Sequence, residues 1–135
     1  FRDLVKNDIH VHSHDRAAGY LEFKKARVRW FLSINSNLLP QHIKEKNQTT
    51  YRSIKIASEE LEFSTGFNDL HTKVYKKILS SKGFRLDDTK TAINIVHEIR
   101  SKKPIGLKGE YHPFARNNLS KHPFYRLGWS FPKKI

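Results

Sequence analysis

Residues 66–79 read GFNDLHTKVYKKIL, and residues 82–100 continue as KGFRLDDTKTAINIVHEIR. In the first segment, apolar residues recur every three or four positions, which is the period of an amphipathic helix; they are Phe67, Leu70, Val74 and Ile78. The second segment has the same pattern, formed by Ala92, Ile93, Val96 and Ile99. The two stretches predict a pair of helices joined by a short turn.

Residues near each predicted end fit this assignment. Ser64 or Thr65 can cap the start of the first helix, and Gly83 can stop it. Asp87 is the predicted N-cap of the second helix, with Asp88 favourable beside the positive end of the helix dipole. The second helix is then expected to end before the proline at position 104.

Strands are predicted upstream of the helices. Residues 9–13, 16–24 and 27–34 alternate apolar and polar side chains, and residues 51–57 and 60–63 suggest a second hairpin that turns at Ser58-Glu59. Residues 35–48 are predicted to form a loop. Strands followed by helices indicate an α+β fold: an open, mostly antiparallel sheet, with two C-terminal helices packed on one face. The strands are expected in one sheet, whose other face carries Arg27, Arg29 and Phe31 and offers a subunit interface.

Composition limits the class of protein. The chain has 135 residues, enough for one modest core, and no apolar run near the roughly 20 residues of a membrane span. It has no cysteine, which fits a reducing, cytoplasmic compartment. It begins with Phe1 and shows no signal-peptide pattern, so we expect a piece of a longer protein.

The C-terminal segment of the chain is more strongly basic than the rest. The net charge is +13, and residues 102–135 hold eight Lys or Arg against Glu110 alone, which leaves +7 there. Six aromatic residues also lie in this segment, so we expect it to dock rather than to be a pure linker. The sequence thus predicts two segments, a domain at 1–101 and a basic aromatic tail at 102–135. A small module that binds nucleic acid or another polyanion is the alternative function.

Three histidines at alternate positions suggest a metal site. On a strand, His10, His12 and His14 would project to one face and could offer imidazoles to Zn²⁺. The His-x-His-Ser order also resembles the opening motif of metal-dependent phosphoesterases of the polymerase-and-histidinol-phosphatase type. This chain is too short for their barrel, so a histidine-rich strand facing solvent is the favoured interpretation and no metal site is assigned.

No cofactor motif is present. The sequence has no Gly-x-Gly-x-x-Gly and no Walker-type loop. Gly19 is a single glycine within a predicted strand, which is more typical of a close backbone approach or a bulge than of a phosphate cradle.

Several segments together carry a resemblance to a known family. They read RAAGYLE at 16–22, ARVRWFLSI at 26–34, TYRSI at 50–54 and ELEFS at 60–64, followed by the helical stretch at 66–100. Within them, VRWFLSI at 28–34 and the DLHT…Y pattern at 69–75 are fairly specific. The match, over roughly residues 8–101, resembles the C-terminal part of bacterial UDP-N-acetyl-glucosaminuronate 3-dehydrogenases, of the glucose-fructose oxidoreductase/inositol dehydrogenase superfamily.

The resemblance implies a two-domain parent enzyme with an N-terminal Rossmann domain that binds NAD. The superfamily's catalytic lysine and histidine motifs do not occur here and would precede residue 1, so no catalytic or cofactor-binding residue is assigned in this chain. The first helix commonly borders the substrate pocket, which makes His71, Thr72 and Tyr75 candidate contacts to a UDP-sugar; Arg16 is a further candidate for its anionic groups. The resemblance also implies a cytoplasmic homo-oligomer assembled through the open sheet face, with a place in lipopolysaccharide O-antigen synthesis. A membrane or nucleic-acid partner is disfavoured.

Overall fold

The computed structural model describes residues 4–66 and 68–117. In order, the elements are β1 (Leu4–His12), β2 (Arg16–Phe23), β3 (Ala26–Ser33), α1 (Gln41–Glu45), β4 (Ser53–Ile56), β5 (Glu59–Glu62), α2 (Leu70–Leu79) and α3 (Leu86–Ser101). Short 3₁₀ turns lie at Ser36–Leu38 and Pro113–Arg116. The predicted α+β class is confirmed.

The strands divide between two antiparallel sheets, so the expectation of one sheet is wrong. One sheet has the order β1-β2-β3, and the other is the β4-β5 hairpin. The first hairpin turns at Lys24-Lys25, because Phe23 pairs with Ala26. The second turns at Ala57-Ser58, one residue earlier than predicted, because Ile56 pairs with Glu59. Packing of α2 and α3 on a sheet face stays a prediction.

The chain forms two compact units, and the predicted segments at 1–101 and 102–135 stay a prediction. Among the described residues, one unit contains residues 39–101, and the other combines residues 4–38 with residues 102–117. In the latter unit, the Ile105 backbone N–H donates to the Ile9 carbonyl at 2.8 Å, and Lys102 Nζ donates to the Asn7 carbonyl at 3.4 Å. Residues 102–105 therefore lie beside β1 and cover part of an otherwise open strand edge.

A β-bulge in β1 changes which way its histidines point. Ile9 pairs with Gly19 and Val11 with Ala18, so His10 is the extra residue between them. His10 contacts the ring of Tyr111 on one face, whereas His12 aligns with Ala17 and falls on the other. The predicted common face for His10, His12 and His14 is therefore wrong, since the bulge breaks the two-residue alternation and β1 ends before His14.

The small core of the three-stranded sheet is centred on β2. Its buried apolar side chains include Ile9, Ala18, Tyr20 and Phe23. Gly19 lies between Ile9 and Trp30 in the ladder, and the indole ring of Trp30 lies over it. The close approach predicted at Gly19 is therefore confirmed.

The ends of α2 differ from the prediction. Asp69 precedes the helix with a left-handed φ of 57° and makes no capping side-chain bond, so neither Ser64 nor Thr65 is the cap. Phe67, the predicted first residue of the apolar stripe, lies outside the described residues. At the other end Ser81, not Gly83, is left-handed, with a φ of 58°. Ser81 N–H donates to the Ile78 carbonyl and Lys82 N–H to the Lys77 carbonyl, which is the Schellman pattern.

α3 begins two residues earlier than predicted. The helix begins at Leu86, so Asp87 lies inside the first turn rather than at the N-cap. The Arg85 N–H donates to Asp88 Oδ2 at 2.9 Å, as in one half of a capping box. Residues 41–45, predicted as loop, form α1; its Ile43 is fully buried, and this single apolar anchor in a polar segment gave no periodic signal.

The exposed faces of α2 and α3 carry apolar side chains. Neither helix has a buried residue, and their exposed positions include Leu70, Ile78, Leu79, Ile93 and Val96. Amphipathic helices gain most of their stability from packing of the apolar face. These faces are therefore suited to contact with further protein. None of the described helices is both long and apolar enough to cross a bilayer.

Asp15 joins the β1–β2 turn to the end of β3. Its carboxylate accepts from Ser13 Oγ at 2.8 Å and from Asn35 Nδ2 at 3.3 Å, and its carbonyl accepts from the Ile34 N–H at 3.0 Å. Burial by itself raises the pKa of Asp15, but the bonds from Ser13 and Asn35, with Arg16 nearby, outweigh it and hold the pKa below the ordinary 3.8. The ionised carboxylate thus stabilises the fold.

We expect Asp15→Ala to lower the free energy of unfolding by about 2 kcal/mol at pH 7, because two buried hydrogen bonds to a charged group are lost. Since the folded-state pKa is depressed, the contribution is present above about pH 4 and is lost as pH falls through the folded value. Urea unfolding at pH 7 and at pH 3 measures it. Asp69→Asn is the control, as Asp69 is exposed and asparagine tolerates its left-handed backbone. An equal loss at both pH values would contradict the assignment.

Candidate functional site

Three of the four predicted site residues lie together on α2. His71 and Tyr75 are four positions apart, so they share a face of the helix. His71, Thr72 and Tyr75 are all exposed, and Tyr75 retains 65% of its accessible surface. The first turn of α2 contains no acidic residue, and Lys76 and Lys77 lie in its last turn. This end of α2 therefore presents donors and an aromatic ring to a polar ligand, with the exposed Asp69 carboxylate directly before its first turn.

Arg16 lies in the other compact unit. It is the first residue of β2, pairs with Ser33 across the β2–β3 ladder and is half-buried. The Arg16 carbonyl accepts a hydrogen bond from the Ser13 N–H at 2.8 Å. The positive charge of the Arg16 side chain helps to lower the pKa of Asp15. Arg16 therefore has a local role in the β1–β2 turn in addition to any role toward a ligand.

A cluster that the sequence did not indicate lies between α1 and the second hairpin. The Tyr51 hydroxyl donates to the Glu60 carboxylate, and the His42 ring meets the Tyr51 ring edge-on, with centroids 5.8 Å apart. The bond to Glu60 is the main reason that the pKa of Tyr51 is raised, and it lowers the pKa of Glu60. The three residues span eighteen positions in sequence, so no local sequence pattern indicated that they would lie together.

The histidine-rich strand does not form a metal site. Within residues 4–66 and 68–117, no group of three or more His, Asp or Glu side chains is placed to hold a metal ion. His10 is buried at 2% exposure and its ring meets Tyr111, whereas His12 and His14 are exposed. The predicted solvent-facing strand is therefore wrong for His10, which is buried, while His12 and His14 are exposed as expected.

The face that was expected to be open is partly covered. Arg29 forms an ion pair with Glu110 at 3.7 Å, and the ring of Phe31 stacks on His112 with centroids 5.7 Å apart. Residues from beyond α3 thus fold back onto part of this face, and its use as a subunit interface stays a prediction. Residues 118–135, including the other tail aromatics, lie outside the described residues.

No protein-family model matches this sequence. Two crystal structures are similar to it, both of the WlbA (WbpB) dehydrogenase from Thermus thermophilus. The complex with NAD and alpha-ketoglutarate is 42% identical, with a TM-score of 0.78, and the match covers 84% of this chain and 37% of that one. The complex with NAD and UDP-GlcNAcA is 39% identical, with a TM-score of 0.77 and the same coverage.

The similarity indicated by the sequence is therefore confirmed for part of such a dehydrogenase. The chain spans about 37% of the length of the two solved structures. At this level of identity and structural agreement, the described elements correspond to a portion of that solved dehydrogenase.

Proposed function

We propose that this chain is the substrate-side, C-terminal part of an NAD-dependent sugar-nucleotide dehydrogenase. The observation that carries the proposal is the 42% identity, at a TM-score of 0.78, to a dehydrogenase solved with NAD. A second complex of that enzyme holds UDP-GlcNAcA, which supports the same substrate class for the parent of this chain. The parent would remove hydride from C3 of UDP-N-acetyl-glucosaminuronate and reduce NAD, as a step in O-antigen sugar synthesis in the cytoplasm.

The residues of this chain bind and orient rather than react. NAD supplies hydride acceptance when it is bound to the parent enzyme, and the printed sequence contains no dinucleotide-binding glycine motif. We assign His71, Thr72 and Tyr75 to the substrate pocket, as hydrogen-bond donors and a stacking surface, and Arg16 to an anionic group of the sugar nucleotide. Taken alone, the chain is expected to reduce no NAD.

Assembly is the second role that we propose. Residues 110–114 contact Arg29 and Phe31, and the exposed apolar side chains of the opposite face include Val28 and Leu32. Exposed apolar surface of this kind favours contact between copies or with the rest of the parent enzyme. The homo-oligomer proposal therefore includes this second face of the sheet.

The pocket assignment is tested by titrating ¹⁵N-labelled chain with UDP-GlcNAcA and following backbone amide resonances. We expect shifts at residues 70–76, and weaker shifts with UDP-N-acetylglucosamine, which lacks the carboxylate. A third titration uses a short oligonucleotide as the ligand. Stronger, salt-sensitive shifts with the oligonucleotide would instead favour the polyanion-binding alternative, and shifts confined to other regions would remove α2 from the pocket.

A further inference from the structure

Residues 110–116 form a strap, the name used here for this segment, across one face of the three-stranded sheet. The strap is attached at Arg29 by Glu110 and at Phe31 by His112 and Phe114. The ring centroids of His112 and Phe114 both lie 5.7 Å from the ring centroid of Phe31. The His112 ring stacks on Phe31 at an interplanar angle of 26°, and the Phe114 ring meets it edge-on at 88°. Three side chains of the strap thus depend on two side chains of β3.

His112 also holds the strap's own shape. Its Nδ1 accepts a hydrogen bond from the Phe114 N–H at 3.2 Å and so caps the 3₁₀ turn at Pro113–Arg116. Only an unprotonated ring nitrogen can accept this bond, since both nitrogens are donors in the imidazolium form. Protonation at Nδ1 therefore removes the cap directly.

The surroundings of His112 also oppose a positive charge. Burial, with the Arg29 guanidinium nearby, lowers the pKa of His112 below its ordinary value of 6.5. Arg29 in turn forms the ion pair with Glu110, at 3.7 Å. The docked strap thus favours the neutral form of the His112 ring for three reasons: the capping bond, the burial of the ring and the neighbouring cation.

A second imidazole lies under the strap. His10 meets Tyr111 with ring centroids 6.0 Å apart, and neither of its ring nitrogens has a hydrogen-bond partner among the described residues. Lifting the strap would bring these nitrogens into contact with water. The other titratable or charged groups of this face include Asp8 from β1, Tyr20 from β2, Arg29 from β3, and Glu110, Tyr111 and Arg116 from the strap.

We propose that the strap is an acid-sensitive cover, docked on β3 while His112 is neutral and released when His112 is protonated. The inference concerns this segment alone and does not depend on the proposed dehydrogenase function. Because the docked state depresses proton binding at His112, docking is complete above the ordinary histidine value of about 6.5 and is lost as pH falls below it. Release exposes Phe31 and His10 together.

The test is an NMR titration of the labelled 135-residue chain between pH 8 and pH 5. The His112 ring resonance reports protonation, contacts between the Phe31 and His112 rings report docking, and hydrogen exchange at the Phe114 amide reports the cap. We expect all three to change with one midpoint. Exchange at Phe114, corrected for its intrinsic pH dependence, should accelerate about fivefold, as expected for the loss of one capping bond.

Three variants separate the alternatives. His112→Asn keeps a capping acceptor that does not titrate, so its Phe114 exchange should lose the pH-dependent step. Arg29→Gln removes the nearby cation and should move the His112 midpoint to higher pH. His97→Asn, on the exposed side of α3, should behave as the unmodified chain. Ring contacts that persist after His112 has titrated, or a pH step that survives in His112→Asn, would overturn the proposal.

Discussion

Gly19→Ala should lower the free energy of unfolding by about 3 kcal/mol, because the position has no room for a methyl group. A Cβ at residue 19 would lie 2.4 Å from the Asp8 carbonyl oxygen and 2.6 Å from the Trp30 ring. The first obstacle is backbone of the paired strand, which cannot move without breaking the β1–β2 ladder. The second is a large ring in the β3 register position directly opposite.

Gly83→Ala is the matched control for this substitution. A Cβ there would meet Ile78 at 3.4 Å, which is close to ordinary contact, and Gly83 does not have a positive φ. We expect a change within about 0.5 kcal/mol, of either sign, because loss of chain entropy in the unfolded state offsets any crowding. Urea unfolding followed by circular dichroism measures both variants. Equal effects at the two glycines would show that the close packing of Trp30 on β2 is not important for stability.

Tyr75→Ala and His71→Ala should each raise the KM for UDP-GlcNAcA by roughly tenfold, since one hydrogen bond to a charged or polar substrate group is lost. The assay needs the NAD-binding part of an enzyme. We would therefore build a chimera in which residues 4–117 of this chain replace the structurally equivalent segment of the Thermus thermophilus dehydrogenase. The match to that enzyme covers 84% of this chain. In this chimera kcat should change little, because the contacts are equally present in the ground state and the transition state.

The control for the pocket variants is Asn94→Ala, an exposed polar residue of α3. Its KM and kcat should equal those of the unmodified chimera. A fall in kcat at constant KM for Tyr75→Ala would move Tyr75 from substrate binding to the chemical step. No change in either constant would remove it from the pocket.

Local patterns were enough to predict the secondary structure of much of the chain. Alternation at 16–24 and 27–34 gave β2 and β3 to within a residue, and the apolar stripe of residues 70–78 gave α2. These signals are short-range, because a strand or helix shows its period over a few residues. The same patterns do not encode which strands pair, and so the division into two sheets could not be read from them.

The remaining errors have identifiable causes. The bulge at His10 inserts one residue into an otherwise regular alternation, which sends His10 and His12 to opposite faces. Residues 110–114 fold back on Phe31 from some eighty positions away, a contact that no local pattern announces. Ser81 takes the left-handed position that glycine usually fills, so the nearby Gly83 gave a misleading end for α2.

The candidate site was predicted mainly from the resemblance to a known family and less from the spacing of its residues. The i, i+4 relation of His71 and Tyr75 follows from the helix, but their assignment to a sugar-nucleotide pocket rests on the family pattern at 69–75. The contribution of the structure is narrower: it shows these side chains exposed on one helix, with no acidic residue in its first turn. Arg16, by contrast, already stabilises the turn around Asp15, so the case for it as a ligand contact is the weakest of the four.

The most direct test of the central claim is the dehydrogenase rate of the unsubstituted chimera, followed as NADH absorbance with UDP-GlcNAcA. We predict steady NADH formation within about tenfold of the Thermus enzyme, and a much lower rate with UDP-N-acetylglucosamine, since the uronate carboxylate is a recognition group. A folded chimera that binds NAD but forms no NADH with any UDP-sugar would contradict the claim that this chain supplies the substrate side of such an enzyme.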